Sequence, residues 1–437
     1  MQRPNILILT PHDLGDFLPC YGTPVEAPNI GRIADGITFL RHFSTATVCS
    51  PARGSIVTGC YPHTNGLMGL VHRGWSLDVG RTPPLPAMLA DMGYETILFG
   101  VQHEHYDSLA LGYQQVGCRQ NKAEEVAAAF ARWAEGQASR PAGRPFLAAC
   151  GFFETHRPFD RDVYRPADPA RVAVPPFVPD LPEVRKDLAD FYGSIRHLDD
   201  AVGVVLDALK AAGLEQNTLV VFVTDHGASL MHGKATLYDG GTKVAMLMRW
   251  PAGLRGGQRV EAVTSHVDIV PTILALLGEQ APAHTQGHSF AAAIDGRGSP
   301  ARQYAFAEQN INNYYDPGRT VRSERYRYIR NGLQRCVFDF QIPEIEALTW
   351  NFRVNRQVFD FYPKRRCHEE LYDLLLDPGE LRNLAGDPAH AATLAGLRAA
   401  LDEHMQRTDD PFRHLRNDIL LPADGYVELA AHRARGV

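Results

Sequence analysis

The strongest constraint on the fold is a set of five short runs that are apolar almost throughout: Asn5–Leu9, Glu95–Phe99, Phe146–Cys150, Thr218–Val223 and Val244–Met248. Runs of this length without alternation read as strands buried on both faces, the pattern of a parallel sheet. Helix-length amphipathic stretches separate them, at Leu85–Met92, Ala123–Ala134 and Asp187–Ala212. Strands alternating with helices predict an α/β sandwich with a large mixed, mostly parallel sheet. In such sheets, ligands bind beyond the carboxyl ends of the strands. The polar groups that follow three of these strands are His12 and Asp13, Gln102 and His103, and Asp225 and His226, so they should meet at one edge.

Composition changes after about residue 300. Residues 319–331 alternate like a strand, 370–388 read as a strand, a turn and a helix start, and 390–405 as an amphipathic helix. The expected division is a catalytic domain over 1–305 and a smaller α+β domain, with an antiparallel sheet and a helix, over 306–437.

Several function classes are excluded early. A net charge of -6 offers no basic footprint for nucleic acid. No apolar run approaches a membrane span, and the run after Arg3 is too short for a signal-peptide core. The expected location is therefore cytoplasmic. The seven cysteines are odd in number and scattered, without a CxxC pair, and read as reduced thiols.

Four constellations carry chemistry. TPHDLGD (10–16) sets His12 and Asp13 after a strand, where they could form a turn or face a metal. TDHG (224–227) repeats the acidic–imidazole pairing after another strand, and two such pairs favour a metal site. Carboxylates suit hard cations, whereas imidazole suits manganese or zinc better than calcium. In CSPAR (49–53), Cys49 could be a nucleophile and Arg53 an anion support. The alternative is a helix start with Arg53 turned to solvent. Finally, His103, His156 and Lys234 lie in loops that follow strands.

CSPAR followed by SIVTG resembles the signature of the type I sulfatases, in the alkaline phosphatase superfamily. PNILIL, APNIGRIADGITF, YPHTNGL and ELYDLLLDPGELRNLA extend the resemblance over nearly the whole chain. HTNGLMGLVHRGW and the C-terminal layout look most like the heparan N-sulfatase (sulfamidase) branch. The resemblance implies an alkaline-phosphatase-like fold and hydrolysis of sulfate esters or sulfamates on a sugar or small organic molecule. It implies that a maturation enzyme oxidises Cys49 to formylglycine, which serves as nucleophile and metal ligand. Arg53 would support the aldehyde hydrate, and His103 would act as its base. His156 and Lys234 would contact sulfate and protonate the leaving group. Asp13, Asp225 and His226 would hold the metal, with His12 as a further candidate ligand. Calcium is the family's usual ion; His12 makes manganese or zinc competitors. Two departures stand out. The family usually has an aspartate where His12 stands, and a lysine at the position of Val101. Both leave room for a phosphonate monoester or phosphodiester hydrolase with the same nucleophile, or for a catalytically silent carbohydrate-binding relative. Trp75, His72, Arg73, Glu104, His105 and the stretch Tyr314–Arg319 are candidates for the pocket wall.

Overall fold

The computed structural model describes residues 3–137, 144–294, 302–311, 314–333, 345, 347–351, 355–362 and 366–414. Cys336, Lys364, Arg365 and the segment 415–437 of the expected smaller domain lie outside them. The larger sheet has nine strands: β1 Asn5–Thr10, β2 Ile37–Phe43, β3 Glu95–Gly100, β4 Gln115–Cys118, β5 Phe146–Gly151, β6 Thr218–Val223, β7 Lys243–Val244, β8 Met246–Arg249 and β9 Gln258–Ser265. Their order is β4-β3-β5-β1-β6-β8-β2-β7, with β9 beside β2. β4, β3, β5, β1 and β6 run parallel. β8 is antiparallel to both β6 and β2, so β2 runs in the direction of β6.

Alternate residues of each central strand enter opposite cores. Leu7 and Leu9 of β1 pack with Val220 and Phe222 of β6 on one face, where the helices Ala123–Gln137 and Pro182–Ala211 supply Val126, Phe130, Leu188 and Val205. Ile6 and Ile8 join Val221, Leu85, Leu89, Ile269 and Ile273 on the other face. This two-sided burial is what the continuous apolar runs require, and it makes the sheet a filled middle layer.

Three expectations need correction in detail. The run Val244–Met248 is two strands, because the Ala245 N–H turns away to the Gly15 carbonyl at 2.9 Å. Residues 319–331 are two strands joined by a turn, not one. The long helix begins at Pro182, earlier than expected, with proline in its first turn, where a missing N–H costs nothing. β2 and β9 escaped the reading because both carry charged or polar residues within the strand.

A second, four-stranded antiparallel sheet contains β10 Ala305–Ile311, β11 Tyr315–Arg322, β12 Tyr326–Asn331 and β13 Glu369–Asp373. The helix Ala391–Arg407 covers it through Leu394, Leu397, Leu401 and Met405. The Glu308 N–H donates to the Thr45 carbonyl at 2.8 Å, linking β10 to the loop after β2. Among the described residues, no helix is long and apolar enough to cross a membrane.

Candidate active site

Because β1, β2, β3, β5 and β6 share a direction, their carboxyl ends open on one edge. His12 and Asp13 follow β1, His103 follows β3, His156 follows β5, and Asp225 and His226 follow β6. β2 leads through 44–48 into the helix Cys49–Thr58. Cys49 therefore occupies the first turn of a helix whose amino end favours negative charge.

Four side chains form the centre. His12, Asp13, Asp225 and His226 are fully buried, and each offers a nitrogen or oxygen within 4.8 Å of the others. Asp225 Oδ1 accepts from the backbone N–H groups of Asp13 (3.0 Å) and His226 (2.9 Å), which ties the two loops together. His12 Nδ1 lies 2.8 Å from Asp13 Oδ1, and its Nε2 lies 3.2 Å from His103 Nδ1. His226 Nδ1 meets the Gly227 carbonyl at 2.9 Å, but its buried Nε2 has no hydrogen-bond partner. That Nε2 sits 3.3 Å from Asp13 Oδ1. A buried, orphaned imidazole nitrogen facing two carboxylates fits a divalent cation, and Asp13, Asp225 and His226 would hold it.

Cations surround the cluster. Arg53 does not face solvent: it is 2% exposed, with Nε donating to Asp225 Oδ2 at 3.1 Å and Nη2 to the Pro11 carbonyl at 3.2 Å. Lys234 Nζ donates to Asp13 Oδ2 at 2.7 Å. His156 Nε2 lies 3.9 Å from the same oxygen. Burial works against charge on Asp13, yet Lys234, His156 and His226 hold its carboxyl well below the usual range. Asp225 is held low despite burial, chiefly by His226, His12 and Arg53. Burial lowers His12 to about 4 and puts His103 well below the usual imidazole value. Both rings are therefore neutral at pH 7. The formal charges of Asp13 and Asp225 cancel those of Arg53 and Lys234, so a bound divalent ion leaves an excess of positive charge for an anionic substrate.

Cys49 Sγ lies within 4.8 Å of a nitrogen of His12 and a nitrogen of His103. Burial pushes its thiol up to about 12, although Lys234 pulls the other way. An unmodified Cys49 is thus protonated at neutral pH and a weak nucleophile.

Other expected residues play different parts. Gln102 turns into its own loop, its Oε1 accepting from the N–H groups of Glu104 (2.9 Å) and His105 (3.0 Å). Glu104 is buried and accepts from the His103 N–H at 2.7 Å, so it shapes the His103 loop. Arg319 is buried and forks onto Asp410. His72 and Arg73 are exposed and Trp75 is half-buried. The second sheet's contribution had no sequence signal: Thr47 Oγ1 reaches Gln309 Oε1 at 3.5 Å across 262 positions.

The sulfatase family model matches residues 4–279, more than half of the chain. This chain belongs to the sulfatase family. The model for the C-terminal part of N-sulphoglucosamine sulphohydrolase matches residues 227–341. An ulvan-active sulfatase of Formosa agariphila is 27% identical, covering 94% of this sulfatase and 76% of the relative. The human N-sulphoglucosamine sulphohydrolase is 28% identical, covering 93% and 91%. Among solved structures, a 2-O GAG sulfatase superimposes with a TM-score of 0.72 at 23% identity, covering 95% and 94%. The phosphonate monoester hydrolase of Agrobacterium radiobacter has the same TM-score of 0.72 at 20% identity, covering 93% and 96%. The fold is therefore shared by sulfate and phosphonate enzymes, and the site must separate them.

Proposed function

We propose that this sulfatase hydrolyses a sulfate ester or sulfamate on a saccharide, using a formylglycine made from Cys49. The observation that carries the reading is the placement of Cys49 beside His103 and the Asp13–Asp225–His226 cluster, at the start of a buried helix. Similarity to a sulfamidase over almost the whole chain supports a sulfamate as the first substrate to try.

A divalent cation held by Asp13, Asp225 and His226 would supply Lewis acidity to the sulfate and to a hydroxyl at position 49. Calcium is the ion the family resemblance implies; two imidazoles at the cluster make manganese or zinc the competing result of metal analysis. The remaining steps fall to the protein's own groups. The hydrated aldehyde has two hydroxyls. One loses its proton to solvent, and its oxygen bonds to sulfur while the bond from sulfur to the leaving oxygen or nitrogen breaks. His156 or Lys234 gives that leaving atom its proton. Arg53 and Lys234 offset charge on the transferred group. His103, half-buried and held neutral chiefly by its removal from water, then takes the proton of the second hydroxyl. The carbon–oxygen bond to sulfate breaks and the aldehyde re-forms. A thiol or a plain hydroxyl has no second hydroxyl and no such exit.

Peptide mass spectrometry of the chain from its native host tests this reading. A Cys49 peptide with the mass of the aldehyde is expected; unmodified Cys49 in active enzyme sinks the mechanism. The second reading, a phosphonate monoester hydrolase, is favoured by Val101 at the position where the family usually has a lysine. Turnover of an aryl sulfate and an aryl phosphonate monoester by one preparation separates the two, with the sulfate expected to be faster.

A further inference from the structure

We infer that Arg327, in the second sheet, is a positioning residue for Lys234 in the first domain's loop. The inference rests on the proposed role of Lys234 at the sulfate. The turn that bears Lys234 is bracketed by His232 and Ala235, non-glycine residues in the left-handed region at φ 63° and 64°. Such a backbone persists only where its surroundings over-determine it.

Arg327 supplies part of that determination. It stands on β12 and is 1% exposed. Nη1 donates to the Leu237 carbonyl at 2.5 Å and to Thr320 Oγ1 at 3.2 Å. Nη2 donates to Thr242 Oγ1 at 3.1 Å and to the Asp239 carboxylate. Nε lies 2.9 Å from Glu380 Oε1, and the other oxygen of Glu380 accepts from the Asp239 N–H at 2.5 Å. One guanidinium thus holds both ends of Leu237–Thr242, the segment directly after the Lys234 turn.

The same stretch of chain carries the fixed position into the site. The Ala235 N–H donates to the Thr47 carbonyl at 2.9 Å, two residues before Cys49. The Thr242 carbonyl accepts from Ser44 at 2.7 Å, and the Gly241 carbonyl accepts from Gly227 at 3.0 Å, next to His226. Neutralising Asp239 would need only a cation, and Arg322 already lies 3.3 Å from it. Reaching Leu237, Asp239 and Thr242 together needs a planar fork, which lysine lacks. A buried ion cluster is a poor source of stability compared with apolar packing, so its value here lies in placement.

The test uses a series of aryl sulfates whose phenols differ in acidity, with kcat and KM measured on full-length wild type, Lys234→Met, Arg327→Lys, Thr320→Val and the Lys234→Met/Arg327→Lys double variant. Melting temperature and metal content are measured alongside. Lys234→Met should lose most on the poorest leaving groups. Arg327→Lys should show the same steepening, in kcat more than KM, with a loss of about tenfold on the poorest. The double variant should match Lys234→Met within about twofold, because both changes act through one group. A loss equal for every phenol, or losses that multiply in the double variant, overturns the inference. If Arg327→Lys does not fold, Thr320→Val decides. It removes the hydroxyl that accepts from Nη1 on the second-sheet side, together with that hydroxyl's own donation to the Tyr328 carbonyl at 2.9 Å, and leaves the guanidinium in place. It should give the same trend at about two- to threefold, and a flat response overturns the inference. If Lys234→Met keeps wild-type turnover, the role of Lys234 fails first and the inference falls with it.

Discussion

His103 and Cys49 show opposite uses of burial. Removing an imidazole from water favours its neutral form, and removing a thiol from water does the same. The first effect makes His103 available as a base well below pH 6.5; the second makes an unconverted Cys49 inert. If His103 is the base in turnover, the acidic limb of the kcat profile should fall below pH 6.5, since a lowered pKa preserves the neutral ring as pH drops. A limb at or above pH 6.5 would assign the base role to another group. At Asp225 a single carboxylate receives Arg53, Asp13 and His226 together. Its two oxygens therefore tie together the Asp13 loop, its own loop with His226, and the helix that carries Arg53.

At the scale of elements, close approach of loops is what brings these side chains together. A Cβ on Gly227 would overlap the Gly240 carbonyl oxygen, so the His226 loop and the segment 239–242 touch backbone to backbone. Gly227→Ala should destabilise the fold by roughly 1–3 kcal/mol and lower activity by moving His226. Denaturant unfolding and turnover on one preparation check both parts. The junction with the second sheet has its own lock: His63 Nδ1 meets Glu308 Oε2 at 2.5 Å, and the His63 N–H donates to Glu308 Oε1 at 2.9 Å. Both side chains are buried, so Glu308→Gln should cost about 3 kcal/mol, because it takes the nearer counter-charge from a buried imidazolium and leaves only Asp410, at 3.9 Å. A loss below about 1 kcal/mol would show that the pair is not ionised.

At the scale of the whole molecule, that lock makes the docking of the two sheets depend on pH. Burial opposes charge on both partners, but His63 and Arg319 hold Glu308 down to about 2, and Glu308 and Asp410 raise His63 above its usual value. The depressed carboxyl contributes stability that is full above 4.5 and lost as pH falls through about 2. The raised imidazole contributes stability that is full below 6.5 and lost as pH rises through its elevated value. Their joint contribution is therefore greatest between 4.5 and 6.5. The difference in melting temperature between wild type and Glu308→Gln should be largest in that window and shrink on both sides. If Cys49 is converted as proposed, its burial limits when that can happen. Cys49, Ser50, Ala52 and Arg53 are at most 7% exposed. A maturation enzyme that reads this motif should convert an unfolded peptide and leave the folded cysteine form unchanged; equal conversion of the two would contradict this.

Much of this protein was legible in its sequence, for physical reasons. Continuous apolar runs of five or six residues, too short for helices and separated by helix-length stretches, read as strands covered on both faces, which predicts the sandwich and the edge where the loops emerge. CSPAR, TPHDLGD and TDHG are local patterns; the last two put an Asp–His pair within a few residues of a strand end, while CSPAR opens the helix that follows β2. Tertiary structure alone decided the rest. Whether Arg53 faced solvent or Asp225 depended on how a helix from β2 packs against the end of β6. Gln102 and Glu104 looked like pocket residues but turned into their own loop, because short-range backbone donors reached them first. The ties from Arg327 to Asp239 and from Glu308 to His63 join residues 88 and 245 positions apart. No periodicity or motif records such pairs, since Asp239 and His63 sit on short helices that meet the strands bearing Arg327 and Glu308 only when the second sheet has docked.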